Sequence, residues 1–107
     1  MRHTFTNPRS AEPGDVIIGT LGLVNKSRPW IILWMDDETR IACLAPCTRS
    51  ADYPGTVETG WEVQPTVMGS VVTQPYTQMF GLTIGQRMPY RLLKQLRRRL
   101  RDTLDLD

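Results

Sequence analysis

Up to Gly85 the chain alternates short apolar runs with polar breaks, and after Gly85 the period changes. The longest apolar run is Trp30-Ile31-Ile32-Leu33-Trp34-Met35, preceded by Arg28-Pro29 and stopped by Asp36-Asp37-Glu38-Thr39. A second run, Ile41 to Pro46, follows and ends on Cys47-Thr48-Arg49-Ser50. Runs of this length, rich in β-branched and aromatic residues and bounded by turn residues, predict two buried strands with a tight connection. In an antiparallel pair joined at 36–39, Arg28 returns beside Thr48, Arg49 and Ser50. The pattern sets a guanidinium next to two hydroxyls at one rim of a β structure, and that rim is the candidate site.

The remaining pattern fills in around this hairpin. Residues 1–13, with Pro8 and Pro13 and no periodicity, predict a loose lead-in. Gly14-Asp15 launches a first strand over Val16–Thr20, and Leu21–Ser27 reads as a loop. Ala51–Gly55 is a turn signal. Thr56–Thr59 and Trp61–Val63 alternate around Gly60 and predict half-exposed strands, followed by a loop over 64–69. Ser70–Thr73 predicts a strand halted at Gln74-Pro75, and Phe80–Gly85 a last one. Leu92, Leu93, Leu96, Leu100, Thr103 and Leu104 then follow helical spacing, with Pro89 tolerated in the first turn. The helix is expected over 89–104, its leucines on the sheet and its Arg97-Arg98-Arg99 run in solvent. The fold class is mainly β: a small SH3-like barrel of five to seven short strands over 14–85, with a C-terminal amphipathic helix, in one domain spanning 1–107.

Composition narrows the chemistry. Charged residues make up 22% and hydrophobic ones 40%, ordinary for a soluble globular protein. No apolar run has the roughly 18 residues a membrane span needs, and the polar N-terminus lacks a secretion signal, so a cytoplasmic location is expected. Cys43 and Cys47 lie four apart on one predicted strand, roughly 13 Å between Cα atoms, too far for a disulfide. With His3 distant, they form no metal-ligand set. The formal charge of +2 is uneven. Residues 1–86 carry 6 basic and 8 acidic side chains, and residues 87–107 carry 7 and 3. The basicity therefore belongs to the helix and does not by itself announce a nucleic-acid binder.

In order and spacing, these motifs resemble the MazF/PemK (Kid-like) toxins of bacterial toxin–antitoxin pairs. The resemblance is carried by Gly14-Asp15-Val16-Ile17, by Arg28-Pro29 with its apolar strand, and by Pro46-Cys47-Thr48-Arg49-Ser50. It continues through Gly69-Ser70-Val71-Val72-Thr73-Gln74-Pro75-Tyr76-Thr77 and the leucine helix, covering about residues 14–104. It implies a homodimer that cleaves single-stranded RNA, such as mRNA, without a metal or other cofactor, and that a cognate antitoxin protein inhibits. Carried over, Arg28 and Thr48 serve cleavage. Arg28 would hold the scissile phosphate and Thr48 would add a hydrogen bond, the substrate's own 2′-hydroxyl being the nucleophile. Arg49, Ser50, Gln74 and Thr77 are the candidate RNA contacts. The loop before Arg28 is shorter than the family's. Thr73 stands where Kid-like members have a general-base Asp, and Val71 where they have an Arg. The missing acid keeps a second reading open: a non-catalytic module on the same fold, gripping RNA or a protein target such as DNA gyrase.

Overall fold

The computed structural model describes residues 3–21, 26–49 and 54–104, with the side chains of Thr103 and Leu104 excepted. Residues 1–2, 22–25, 50–53 and 105–107 lie outside the described set.

The long hairpin forms as its pattern requires. β3 (Arg28–Asp36) and β4 (Ile41–Thr48) pair antiparallel, from Asp36↔Ile41 at the turn to Trp30↔Pro46 near the far end. The turn is fixed by Asp36, whose carboxylate accepts from the Glu38 backbone N–H and the Thr39 hydroxyl, while Arg40 adopts the left-handed conformation at φ 58°. Around this pair are β1 (His3–Thr4), β2 (Asp15–Gly19), β5 (Thr56–Glu58), β6 (Thr66–Met68), β7 (Val72–Pro75) and β8 (Thr83–Arg87). They form one open antiparallel sheet in the order β1-β8-β2-β3-β4-β6-β5, with β7 also on β4. β4 divides one edge between two partners: its first half pairs with β7, and its Cys47-Thr48 end with β6. Helix α1 (Tyr90–Leu104) closes the chain. The protein is thus mainly β with a C-terminal helix, and the described residues form eight strands.

Each face of the sheet carries its own apolar cluster. One gathers Trp30, Ile32, Ile17, Leu44 and Ile84 under Phe5, Tyr76 and Met79. The other gathers Ile31, Leu33, Ala45, Cys47 and Val67 under Leu93, Leu96 and Leu100 of α1. Alternation along β3 and β4 sends successive side chains to opposite clusters, so both strands are apolar between their polar ends.

Four expectations are corrected. The lead-in is packed rather than loose: Phe5 is fully buried against Tyr76 and Phe80, and His3–Thr4 pair with β8. Trp61–Val63 is not a strand. The Thr59 hydroxyl accepts from the Trp61 N–H at 3.0 Å and donates to the Gln64 carbonyl at 2.6 Å, folding 59–64 into a loop at Gly60 (φ 75°). The strand lies instead at Thr66–Met68, within the expected loop, where Val67 pairs with both Cys47 and Val57. Finally, the arginine run is not all solvent. Arg97 reaches back to the Leu33 carbonyl, donating from Nε at 2.8 Å and also from Nη2, and Arg99 donates to the Glu58 carbonyl at 2.6 Å.

Candidate functional site

The rim opposite the Asp36–Arg40 turn is where the strand ends converge. Gly19 of β2 pairs with Arg28 of β3. Two residues beyond the Trp30↔Pro46 pair, β3 reaches Arg28 and β4 reaches Thr48. Thr48 pairs with Thr66 of β6, and Thr66 with Glu58 of β5. Extended two residues past Trp30↔Pro46, the β3–β4 register would set Arg28 opposite Thr48 and join Gly19–Arg28 to Thr48–Thr66–Glu58 in one transverse row. Paired residues share a face, so these side chains stand on one side of the sheet.

The row is held from both ends. The Trp30 indole N–H donates to the Gly19 carbonyl at 3.1 Å, tying β2 to β3 behind Arg28. Gly19 leaves room for Leu82, whose Cδ2 would lie 2.6 Å from an added Cβ. The buried Thr66 hydroxyl donates to the Thr48 carbonyl and locks β6 onto the bent end of β4.

Arg28 is half-buried in this frame. Its Nη1 sits 3.7 Å from the Met68 sulfur, a weak acceptor. Its Nε is buried and has no partner, alone in this among the described side-chain nitrogens and oxygens. A buried donor left unpaired costs about 1–3 kcal/mol. The strand pairing thus keeps a cation at the rim without a strong acceptor among the described residues. An anion with two or three oxygens would supply what is missing.

The expected contact residues separate into two groups. Arg49 follows Thr48 at the rim and is exposed. Ser50 lies outside the described residues. Gln74 and Thr77 are at the other end of the hairpin: Gln74 pairs with Ala42, six residues before Thr48, or roughly 20 Å along the strand. Thr77 lines a depression there with Arg40, Pro75 and Phe80. Thr73 pairs with Cys43, also toward that end, so an acid in its place would not stand over Arg28 of the same chain. Thr66, Met68 and Glu58 join the rim unannounced. Their signal was the alternation Thr66-Val67-Met68, obscured by its Pro65 and Gly69 flanks.

A cavity of about 540 Å³ lies at the turn end, among Asn7, Arg9, Asp37, Arg40 and Tyr76. Its two arginines face Asp37, with Asp36 and Glu38 on the same turn, so its charge is nearly balanced. The Tyr76 hydroxyl donates to Asp37 at 2.9 Å, and burial, then Asp37, push that phenol up to about 12. It is a structural phenol, and the cavity lacks the rim's uncompensated cation. Among the described residues no three His, Cys, Asp or Glu side chains converge as metal ligands, and no helix is long and apolar enough to cross a membrane. Both cysteines are free thiols on β4, and burial pushes Cys47 up to about 12, far from a reactive thiolate. Compared with known proteins, the chain matches no family model and no curated protein.

Proposed function

We propose that the chain is an endoribonuclease of the MazF/PemK toxin kind, acting at the Arg28–Thr48 rim. The observation that supports this reading most is the half-buried Arg28 guanidinium whose Nε has no partner, placed beside Thr48 at an open strand end. A scissile phosphodiester bound there would accept from Arg28, which would also stabilise the charge growing on its oxygens during attack. Thr48 would position the same group.

The substrate's 2′-oxygen would attack phosphorus, forming the 2′-O–P bond as the P–O5′ bond breaks. The products would be a 2′,3′-cyclic phosphate and a 5′-hydroxyl, the leaving oxygen taking a proton from water. Glu58, the carboxylate that ends the row, is the group we assign to accept the 2′-hydroxyl proton. It is exposed, and no hydrogen bond or ion pair engages its carboxylate among the described residues. A homodimer, cytoplasmic action and an antitoxin partner belong to the same proposal. Sedimentation at micromolar concentration tests the first, with twice the monomer mass expected.

The deciding assay is cleavage of single-stranded RNA with and without a 2′-deoxy substitution at the cut. Wild type should cut the first and spare the second, with chelator making no difference. Arg28→Ala should slow cutting by about 10²–10³, as loss of a transition-state donor does. Glu58→Gln should slow cutting, because the amide cannot accept the 2′-hydroxyl proton. Cutting that survives the deoxy substitution, or that Arg28→Ala leaves intact, would overturn the reading. Tight RNA binding without any cutting would favour the binding module.

A further inference from the structure

Just around the rim from Thr48, on the opposite face of the sheet, lies a groove of about 360 Å³ that the proposed cleavage chemistry does not use. Its floor is Val16, Ile18 and Gly85. Its walls carry Arg49, Gln64 and Gln86. Ile18 pairs with Pro29 and precedes Gly19, the partner of Arg28, and Arg49 is the residue after Thr48. The groove therefore begins one residue from the phosphate site on two strands.

The backbone has been shaped to present these walls. Between the Asp15↔Arg87 and Ile17↔Ile84 pairs, β2 carries one residue, Val16, and β8 carries two, Gly85 and Gln86. That is a β-bulge, a device that re-aims side chains beside sites. Arg87 anchors it, donating to the buried Asp15 carboxylate at 2.8 Å and pairing with Glu12 at 3.1 Å. Gln64 is held from the other side by the Thr59 hydroxyl on its carbonyl. Neither glutamine amide nor the Arg49 guanidinium makes a hydrogen bond or ion pair among the described residues, and no carboxylate lines the groove.

Two free amides and one cation over an apolar floor match a particular ligand. A nucleobase has a flat apolar face, for Val16 and Ile18, and an edge of donors and acceptors that a glutamine amide can answer with two hydrogen bonds. The phosphate joining that base to the cut would meet Arg49. We infer that this groove binds the base flanking the scissile phosphate, with Gln86 and Gln64 as the residues that set which base is accepted. The inference rests on the RNA reading of the rim.

The test uses two readouts on the intact chain. Single-stranded RNAs randomised around the cut report cleavage preference by sequencing of the products. Oligonucleotides with a 2′-deoxy cut site, differing in one flanking base, report binding by fluorescence anisotropy. Wild type should prefer one flanking base, and Gln86→Leu should relax that preference by about 5- to 150-fold, the range of one bidentate base contact. Gln64→Leu should relax the same position. Arg28→Ala should slow cutting by about 10²–10³ yet keep the base preference in binding. Thermal melts should be unchanged for both glutamine variants, since their amides bond nothing in the fold. If both variants keep wild-type preference, or lose affinity equally for every base, the groove is not a base reader and the rim reading stands. If wild type neither binds nor cuts RNA, both fall together.

Discussion

Arg28 and Arg97 approach the sheet from opposite faces, both half-buried. Arg97, on the helix face, has its needs met: two donors on the Leu33 carbonyl and its guanidinium 5.1 Å from the centre of the Trp34 ring. Arg28, at the rim, has a sulfur and nothing for Nε. The carbonyl that Arg97 takes is itself a consequence of the sheet. Between Ile32↔Leu44 and Trp34↔Cys43, β3 carries Leu33 and β4 carries no residue, so Leu33 is the extra residue of a bulge. Its carbonyl would otherwise be an orphan acceptor. Arg97 repairs the fold and Arg28 burdens it. That burden at an open strand end is the feature on which the proposed site rests.

That contrast can be broken by measuring stability. The largest effect calibrates the helix side: Leu96 is fully buried, and Leu96→Ala should cost about 2–5 kcal/mol in urea denaturation. Arg97→Met should come next, at about 1–3 kcal/mol for the stranded Leu33 carbonyl, with a further contribution of about 0.5–1 from the lost Trp34 stacking. Arg28→Met should leave stability unchanged or raise it by up to about 1 kcal/mol, because it removes an unpaired buried donor. A loss at Arg28 equal to the loss at Arg97 would erase the distinction. The last effect is absent at neutral pH. Burial raises Cys47 and Tyr76 to about 12 in the folded chain, against roughly 8.5 and 10 unfolded. Their contribution is complete below about pH 8 and is lost as pH climbs toward 12. Tyr76→Phe should remove one part of that alkaline loss.

The sequence disclosed the rim because the rim is local. Asp36-Asp37-Glu38-Thr39 fixes the turn, the turn fixes the register, and the register brings Arg28 to Thr48. It did not disclose that Gln74 and Thr77 stand at the other end, because β7 meets β4 through a pairing with no turn to set it. The Trp61–Val63 and Thr66–Met68 segments were exchanged for a related reason. Both alternate, and only the Thr59 hydroxyl, folded onto Trp61 and Gln64, decides which becomes the loop. Arg97 read as a solvated charge because a bulge carbonyl on β3 leaves no mark on the helix sequence. Glu58 and Gln86 were ordinary polar positions until cross-strand pairing and a bulge gave them neighbours.

The pairing of β1 and β2 with β8 joins the beginning of the described chain to the strand just before the helix. Contacts so distant in sequence form slowly, whereas a hairpin with a short turn closes in microseconds. The order of assembly therefore divides the two halves of the proposed site. The Arg28–Thr48 edge comes within reach as soon as the hairpin exists, but the bulge that aims Gln86 waits for nearly the whole chain. A nascent or truncated chain would hold the phosphate-facing edge with no means of selecting a base. In pulsed hydrogen exchange during refolding, amides of β3 and β4 should be protected before those of β8.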